Sequence, residues 1–516
     1  MVMKLLFLGS TDSYNFALPP LIKKARNRGY LTDVFCTGSM PEHTRMFSQN
    51  NILFSLVKKK IPKLRKYDAA IYQCLQRANI LQQLKKVKIP RFSIMYHLMN
   101  PAYVLGDGFS NAHFTFCFGK QLKEWQEVNG IKHSLIPIGS PQYNGLHKLS
   151  TNRKTSSKVL IIDTHYYPAH SEGKSQYAEI ILKTASKYPK YQFIIKPRTV
   201  PDEINNAKHR AEHLYSYVLK ACQKSLPNNL ILLNEHKDLN QLVAEAKIVV
   251  STWSTAIIPA LLIRKPILIL KGFKHLDLEY WNNKAVENFY KYLEGTKAVI
   301  PFSQLPKKLM SAKPASKKFV DGLYDDFDGN ASKKMLDFIE KTLKSKTEKN
   351  ENVYEINFIY NKILHQYYLP NLRSGYILQQ AYKDFQRAAD RLRKKAISLR
   401  KNPKDFRKEL EKVFEESIKH NIDLFIKSDK KLLSGFKGWI INFLFDRKEY
   451  HQILKLPKKF YIADYYYFKS EIYKKLGEKE KAKKSLKDFI QACSGRIYIE
   501  SPAMNIYFKQ EFEKAS

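Results

Sequence analysis

The stretch AKIVVSTWSTAIIPALLIRKPILIL, residues 246–270, sets two apolar runs of strand character, KIVVS and PILIL, on either side of a hydroxyl-rich segment. Unbroken apolar runs of this length read as strands buried on both faces, as in parallel sheets. Between them, Ser251, Thr252, Ser254 and Thr255 place four hydroxyls within five positions, where a strand gives way to a helix. One hydroxyl is enough to cap a helix. The surplus points to a second duty: a helix start with free N–H groups, a positive dipole end and extra hydroxyls is a receptor for a diphosphate. Pro259 lies too deep for a helix that begins at Thr255, so its position predicts a later start or a kink.

Outward from that stretch the same pattern repeats. Apolar runs at 4–9, 32–37, 68–73, 92–96, 114–118 and 134–139 are followed by a second series at 158–163, 191–196, 230–234, 247–251, 266–270 and 298–302. Helical segments, such as 16–28, 119–129, 174–188 and 239–246, lie between most of them. Strands alternating with helices predict an α/β fold of two Rossmann-like, doubly wound domains, residues 1–148 and 157–345. The polar run HKLSTNRKTSSK (147–158) reads as their linker, and KSKTEKNEN (344–352) as the end of the α/β part.

From residue 353 to 516 the periodicity is helical and predicts an all-α domain. Within it, YYYFKSEIYKKLGEKEKAKKSLKDFI (465–490) resembles one tetratricopeptide unit, with Ser470, Tyr473, Gly477, Ala482 and Leu486 in the unit's slots. Such units need about three copies to bury a core. A TPR-like docking domain and an ordinary helical bundle both fit.

The 516 residues carry a formal net charge of +41, spread evenly enough that no basic tail stands out. A lysine-rich composition and loose attachment to an anionic membrane surface both account for it. An aromatic–basic nucleic-acid module is missing from the pattern, so no nucleic-acid partner is expected. The five cysteines form no CxxC pair, which fits a reducing cytoplasm. The longest uncharged stretch, Ile248 to Ile263, has 16 residues, short of the roughly 20 that span a bilayer. The expected location is cytoplasmic, with the inner face of the membrane as a peripheral site.

Two doubly wound domains place a cleft at the carboxyl ends of their strands. Lys196 and Arg198, in IIKPRTVPDE (194–203), follow a buried strand and would bring two cations to a diphosphate there. His97, in SIMYHLMNPAYVLG (93–106), follows a strand of the first domain, where an imidazole can serve as general base. Gly9 and Ser10 form the first strand-to-helix turn. His165 and His170, without a carboxylate beside them, are weak metal ligands, and no metal is expected.

The run DLNQLVAEAKIVVSTWSTAIIPALLIRKPILIL (238–270) resembles the nucleotide-binding segment of GT-B surface-polymer transferases, above all the CDP-glycerol glycerophosphotransferases of teichoic-acid and capsule synthesis. That family has Asp-Tyr-Ser-Ser after the strand and Lys-Arg-Pro about ten residues on. Here Thr252, Trp253, Ser254 and Thr255 stand at the first motif, and Arg264, Lys265 and Pro266 at the second. DDFDGNASKKMLDFIEKTL (325–343) resembles the family's closing helix. The resemblance covers roughly residues 90–343. It implies a GT-B enzyme with Thr252, Trp253, Ser254, Thr255, Lys196 and Arg198 on the nucleotide and His97 as base. Thr252 stands in place of an Asp, Leu98 of a Gly and Arg198 of a His.

The expected function is transfer of a glycosyl or polyol-phosphate unit from a nucleotide-diphosphate donor to a polysaccharide or lipid-linked acceptor, without a cofactor. A non-hydrolysing UDP-sugar 2-epimerase would share the scaffold, but would need acidic catalytic residues at strand ends. A nucleotide-binding helical-repeat adaptor would show neither donor hydrolysis nor transfer.

Overall fold

In the computed structural model the apolar runs form strands of two parallel sheets. The structure describes most of residues 2–344 and parts of 353–493; the longer segments outside that description are 11–15, 38–44, 96–111, 125–133, 150–155, 164–170, 198–213, 274–292, 345–352, 364–376, 428–440 and 494–516.

The first sheet contains β1 (Lys4–Ser10), β2 (Leu31–Thr37), β3 (Ser55–Val57), β4 (Ala69–Gln73), β5 (Arg91–Ile94), β6 (Phe114–Cys117) and β7 (Ser134–Pro137), in the order β3-β2-β1-β4-β5-β6-β7. The second contains β8 (Lys158–Ile162), β9 (Gln192–Lys196), β10 (Leu230–Leu232), β11 (Ile248–Ser251), β12 (Ile267–Lys271) and β13 (Val299–Pro301), in the order β10-β9-β8-β11-β12-β13. Every strand pair is parallel. The fold class is therefore α/β, two doubly wound Rossmann-like sheets, followed by helices.

Each sheet is covered on both faces, which is why its strands read as unbroken apolar runs. In the first sheet Leu5, Phe7, Ile71, Phe92 and Phe116 pack towards α1 (Leu18–Asn27). Leu6, Leu8, Ala70 and Tyr72 face the other way, onto Ile80, Leu81 and Leu84 of α2 (Ala78–Lys86). The second sheet carries α3 (Ser171–Lys187), α4 (Leu214–Cys222), α5 (Leu239–Glu245) and the short α6 (Ile258–Leu262).

The helix α7 (Ala331–Lys344) follows the second sheet in sequence but packs on the first. Its apolar stripe of Ala331, Met335, Leu336 and Ile339 joins the core around Phe92 and Phe116. Phe338 meets Phe114 and Phe116 edge-on, at centroid distances of 5.1 and 5.7 Å. Arg28 fixes the rim through Asp337 (2.7 Å) and Glu340 (2.8 Å), and Tyr30 donates to Glu340 as well.

The chain reaches α7 along a fitted path. Tyr324 Oη accepts from the Ser140 N–H (2.6 Å) and donates to the Ser140 carbonyl (2.9 Å). Gly139, at φ +93°, leaves room for that ring: a Cβ there would lie 2.5 Å from it. Asn144 Nδ2 then donates to Ser332 Oγ at 2.7 Å.

The described residues fall into two compact units, Met1–Leu276 with Val286–Lys362, and Asp277–Ala285 with Ile363–Ser516. The second is helical, with α8 (Ile377–Ser398), α9 (Pro403–Lys427), α10 (Ala463–Lys475) and α11 (Lys479–Cys493). α10 and α11 form a hairpin that turns at Gly477 (φ +76°) and is tied by Ser470 Oγ donating to the Ala482 carbonyl at 2.9 Å. Among the described residues no helix is long and apolar enough to cross a membrane.

Candidate active site at the edge of the second sheet

In both sheets the strand order reverses between the first and fourth strands, and ligands of doubly wound folds bind outside the carboxyl ends there. In the second sheet these strands are β8, which runs out into Asp163, and β11, which ends at Ser251.

The register decides which side chains share a face. Ile162 pairs with Lys196 of β9, and Ile161 with Val250 of β11. One step further along β11, Ser251 falls in the row of Ile162 and Lys196, with strands about 4.8 Å apart. Ser251 and Lys196 therefore stand on one face at the carboxyl edge, roughly 10 Å apart at their Cα atoms. The Ser251 hydroxyl is fully buried and has no hydrogen-bond partner among the described residues.

Lys196 is half-buried, and its Nζ donates to the adjacent Pro197 carbonyl at 3.2 Å. It has no carboxylate within ion-pair distance among the described residues. Burial lowers its pKa from the ordinary 10.5, and the Asp163 and Asp238 carboxylates pull it back up.

The hydroxyl segment divides its work. Ser254, with extended backbone (φ −158°, ψ 145°), is the cap, its Oγ accepting from the Ala256 N–H at 3.1 Å. A 3-10 turn covers Thr255–Ile257, and the α-helix starts only at Ile258 with Pro259 in its first turn. Proline lacks the N–H that a first-turn residue has no use for, so the later start makes its position favourable. Thr252 is fully buried and engaged within the protein. Thr255 is half-buried.

Charges at the neighbouring helix starts differ in kind. Asp163 Oδ2 accepts from the N–H of Leu214, the first residue of α4, at 3.3 Å. Asp238 caps α5 by accepting from the Asn240 N–H at 2.9 Å. α3 carries Glu172 in its first turn. Among the described residues of these four starts, the turn after β11 has a neutral hydroxyl as its cap and the other three have a carboxylate close by.

Lys196, Thr252, Ser254 and Thr255 thus gather at the edge of the second sheet. His97, Arg198, Trp253, His165 and His170 lie outside the described residues. Arg264, Lys265 and Pro266 precede β12 and stand at the opposite, amino-terminal edge, where Lys265 Nζ donates to the Ala244 carbonyl at 2.5 Å.

The structure adds a group that the sequence reading passed over. Asp163 Oδ1 and Lys174 Nζ form an ion pair at 2.9 Å with side chains 1% and 0% exposed. The signal was present: Lys174 stands in one helical stripe with buried Tyr177, Ala178 and Ile181. A lysine in such a stripe needs an internal anion, and Asp163 ends the preceding strand. At the first sheet, buried Gln73 ends β4, and its Oε1 accepts from the Ala17 N–H at 3.0 Å. Among the described residues no group of three or more His, Cys, Asp or Glu is placed to hold a metal ion.

No family model and no curated protein sequence matches the chain. Among solved structures, UDP-GlcNAc 2-epimerase from Neisseria meningitidis bound to UDP-GlcNAc is similar at 16% identity, over 66% of this chain and 100% of that one, with a TM-score of 0.47. S. aureus MnaA in complex with UDP is similar at 13% identity, over 67% and 99%, with a TM-score of 0.48. MurG of Acinetobacter baumannii is similar at 12% identity, over 66% and 100%, with a TM-score of 0.40. The fold assignment itself rests on the strand order given above.

Proposed function

We propose that the chain is a transferase that binds a nucleotide-diphosphate donor at the edge of its second sheet and passes a glycosyl or polyol-phosphate unit to a surface-polysaccharide acceptor. The observation that carries this reading is the Lys196 ammonium, without an ion-pair partner among the described residues, on the face of the buried Ser251 hydroxyl and beside a helix start capped by the neutral Ser254 hydroxyl. A diphosphate supplies the missing negative charge and the acceptors for both groups. The resemblance of residues 238–270 to glycerophosphotransferases supports the reaction class. In it, His97 takes the proton of the attacking hydroxyl, while Lys196, Arg198 and the hydroxyl segment balance the charge of the departing nucleotide. A polysaccharide or lipid-linked acceptor agrees with a +41 protein working at an anionic inner membrane surface.

Thermal shift with CDP-, UDP-, GDP- and CMP-linked donors tests the proposal. A ligand at 100 times its dissociation constant stabilises by about 2.7 kcal/mol. No shift with any donor refutes the reading, and the product formed with the donor that binds separates transfer from epimerisation.

Two further outcomes are expected. Thr255→Ala should weaken nucleotide binding several-fold without loss of stability. Ser254→Ala should do the same and also cost about 1 kcal/mol of stability, because Ser254 is the cap; Ser254→Gly should recover most of that stability. Calorimetry and urea unfolding of the same preparations separate the two effects.

The second outcome concerns pH. The folded-state pKa of Lys196 lies below its unfolded value, so the free protein gains stability as pH rises from that lowered value towards 10.5. A bound diphosphate needs the ammonium, and its affinity falls across the same window. Titrations with UDP at successive pH values up to 10.5 should show this decline in wild type and not in Lys196→Met.

A further inference from the structure

We infer that Gln73 and Phe16, at the start of α1, form the seat of an uncharged sugar or polyol unit of the acceptor, and that Pro19 and Pro20 keep phosphate out of it. The inference rests on the transferase reading and deepens it by naming the chemical class that the first sheet takes.

Gln73 ends β4, which lies beside β1 where the strand order of the first sheet reverses. It pairs with Ile94 of β5, the strand that precedes His97 in the chain. Two residues beyond Ile71, it stands on the face that α1 covers. Its Oε1 accepts from the Ala17 N–H at 3.0 Å, so the carboxamide sits at the helix start with its oxygen identified by the partner. The other end, Nε2, is buried and has no hydrogen-bond partner among the described residues, and Gln73 is 0% exposed. A buried N–H without an acceptor is costly. A carboxamide presents a donor and an acceptor side by side, and Oε1 keeps a second lone pair. Two neighbouring hydroxyls of a sugar or polyol match both: one oxygen accepts from Nε2, and the other hydroxyl donates to Oε1.

Phe16 adds an apolar half. It immediately precedes the N-cap Ala17 and is 53% exposed. The face of an aromatic ring is electron-rich and suits the C–H side of a sugar ring.

The helix start withholds what a phosphate needs. Of the four N–H groups that an α-helix leaves free at its start, Pro19 and Pro20 supply none, and that of Ala17 is taken by Gln73. Only that of Leu18 remains. No strand of the first sheet ends in a charged residue, whereas β9 and β12 end in Lys196 and Lys271. A charged group would lose its hydration here for little return, and a neutral hydroxyl loses far less.

The test uses the full chain in saturation-transfer NMR titrations at about pH 8, where an introduced carboxylate is ionised. Glucose, N-acetylglucosamine and glycerol are the neutral probes, glycerol 3-phosphate is the charged one, and UDP reports on the second sheet. Gln73→Glu keeps an acceptor for the Ala17 N–H but removes the donor. It should lose at least about threefold in affinity for the neutral probes that wild type binds. Phe16→Ala should lose about as much. Pro19→Ala/Pro20→Ala returns two N–H groups to the helix start and should raise affinity for glycerol 3-phosphate at least about threefold. UDP affinity should stay within about twofold of wild type in all three. A glutamine that only caps α1 would leave Gln73→Glu binding as wild type.

Wild type that binds no neutral probe overturns the inference, as do Gln73→Glu and Phe16→Ala variants that bind as wild type. If UDP still binds in either case, the diphosphate reading stands. Unchanged glycerol 3-phosphate affinity in the proline variant overturns the exclusion of phosphate. Wild type that binds a neutral probe through Gln73 but no UDP removes the diphosphate reading and leaves a carbohydrate seat on the first sheet. Should Gln73→Glu fail to fold, Phe16→Ala decides alone: weakened binding of the neutral probes supports the seat, and unchanged binding refutes it.

Discussion

Replacing His97 by alanine is expected to lower turnover by about 100-fold to 10,000-fold, the usual contribution of a general base, while nucleotide affinity stays near wild type. The expectation starts from the end of β5. That strand closes at Ile94, and the next residue, Met95, still donates its N–H to the Phe116 carbonyl at 2.9 Å. The chain therefore leaves the first sheet at its carboxyl edge two residues before His97. Acceptor attack requires a proton to be taken from a hydroxyl, and an imidazole has the right intrinsic pKa for the task near neutrality. A histidine that only packs would lower the melting temperature and leave the rate of the folded fraction intact. Turnover and melting temperature of one His97→Ala preparation separate these cases. Near-wild-type turnover would move the base elsewhere, with His165 as the next candidate.

Asp163→Asn is expected to cost about 3–5 kcal/mol of stability, because it takes the carboxylate from a Lys174 ammonium whose side chain is 0% exposed. A contrast within the same unit shows why burial sets the size. Asp33 and Lys66 are as close, at 2.7 Å, and Tyr67 also donates to Asp33 at 2.6 Å. Yet their side chains are 45% and 44% exposed, against 1% and 0% for Asp163 and Lys174. An exposed pair is worth about 0–1 kcal/mol, so Asp33→Asn should shift urea unfolding only slightly. Equal losses in the two variants would show that burial does not set the size of the effect.

The strands were legible because a parallel strand covered on both faces leaves an unbroken apolar run. β3 departs from that rule. It is a three-residue edge strand with Leu56 65% exposed, preceded by Leu53 at 89%, so no buried apolar run marks it. The late start of α6 could be anticipated from Pro259, since the constraint is local. The ion pair was not read, because it joins a strand end to a helix eleven residues on through a contact that no periodicity encodes. The stripe of α7 announced a buried face, but a stripe does not name the sheet it covers. Lys196 was singled out as a cation at a strand end; its lack of an ion-pair partner among the described residues is a property of the assembled edge.

The docking of α7 on the first sheet also has a consequence for synthesis. Residues 150–330 must be made after the last strand of that sheet and before the helix that covers part of it. At about 5–20 residues per second, the interval on a ribosome is on the order of 10–40 s. Throughout it, the ring edges of Phe92, Phe114 and Phe116 that later meet Phe338 have no partner. Until α7 is made, the first sheet lacks the ring that covers this aromatic face. A fragment that stops at residue 148 never closes that face.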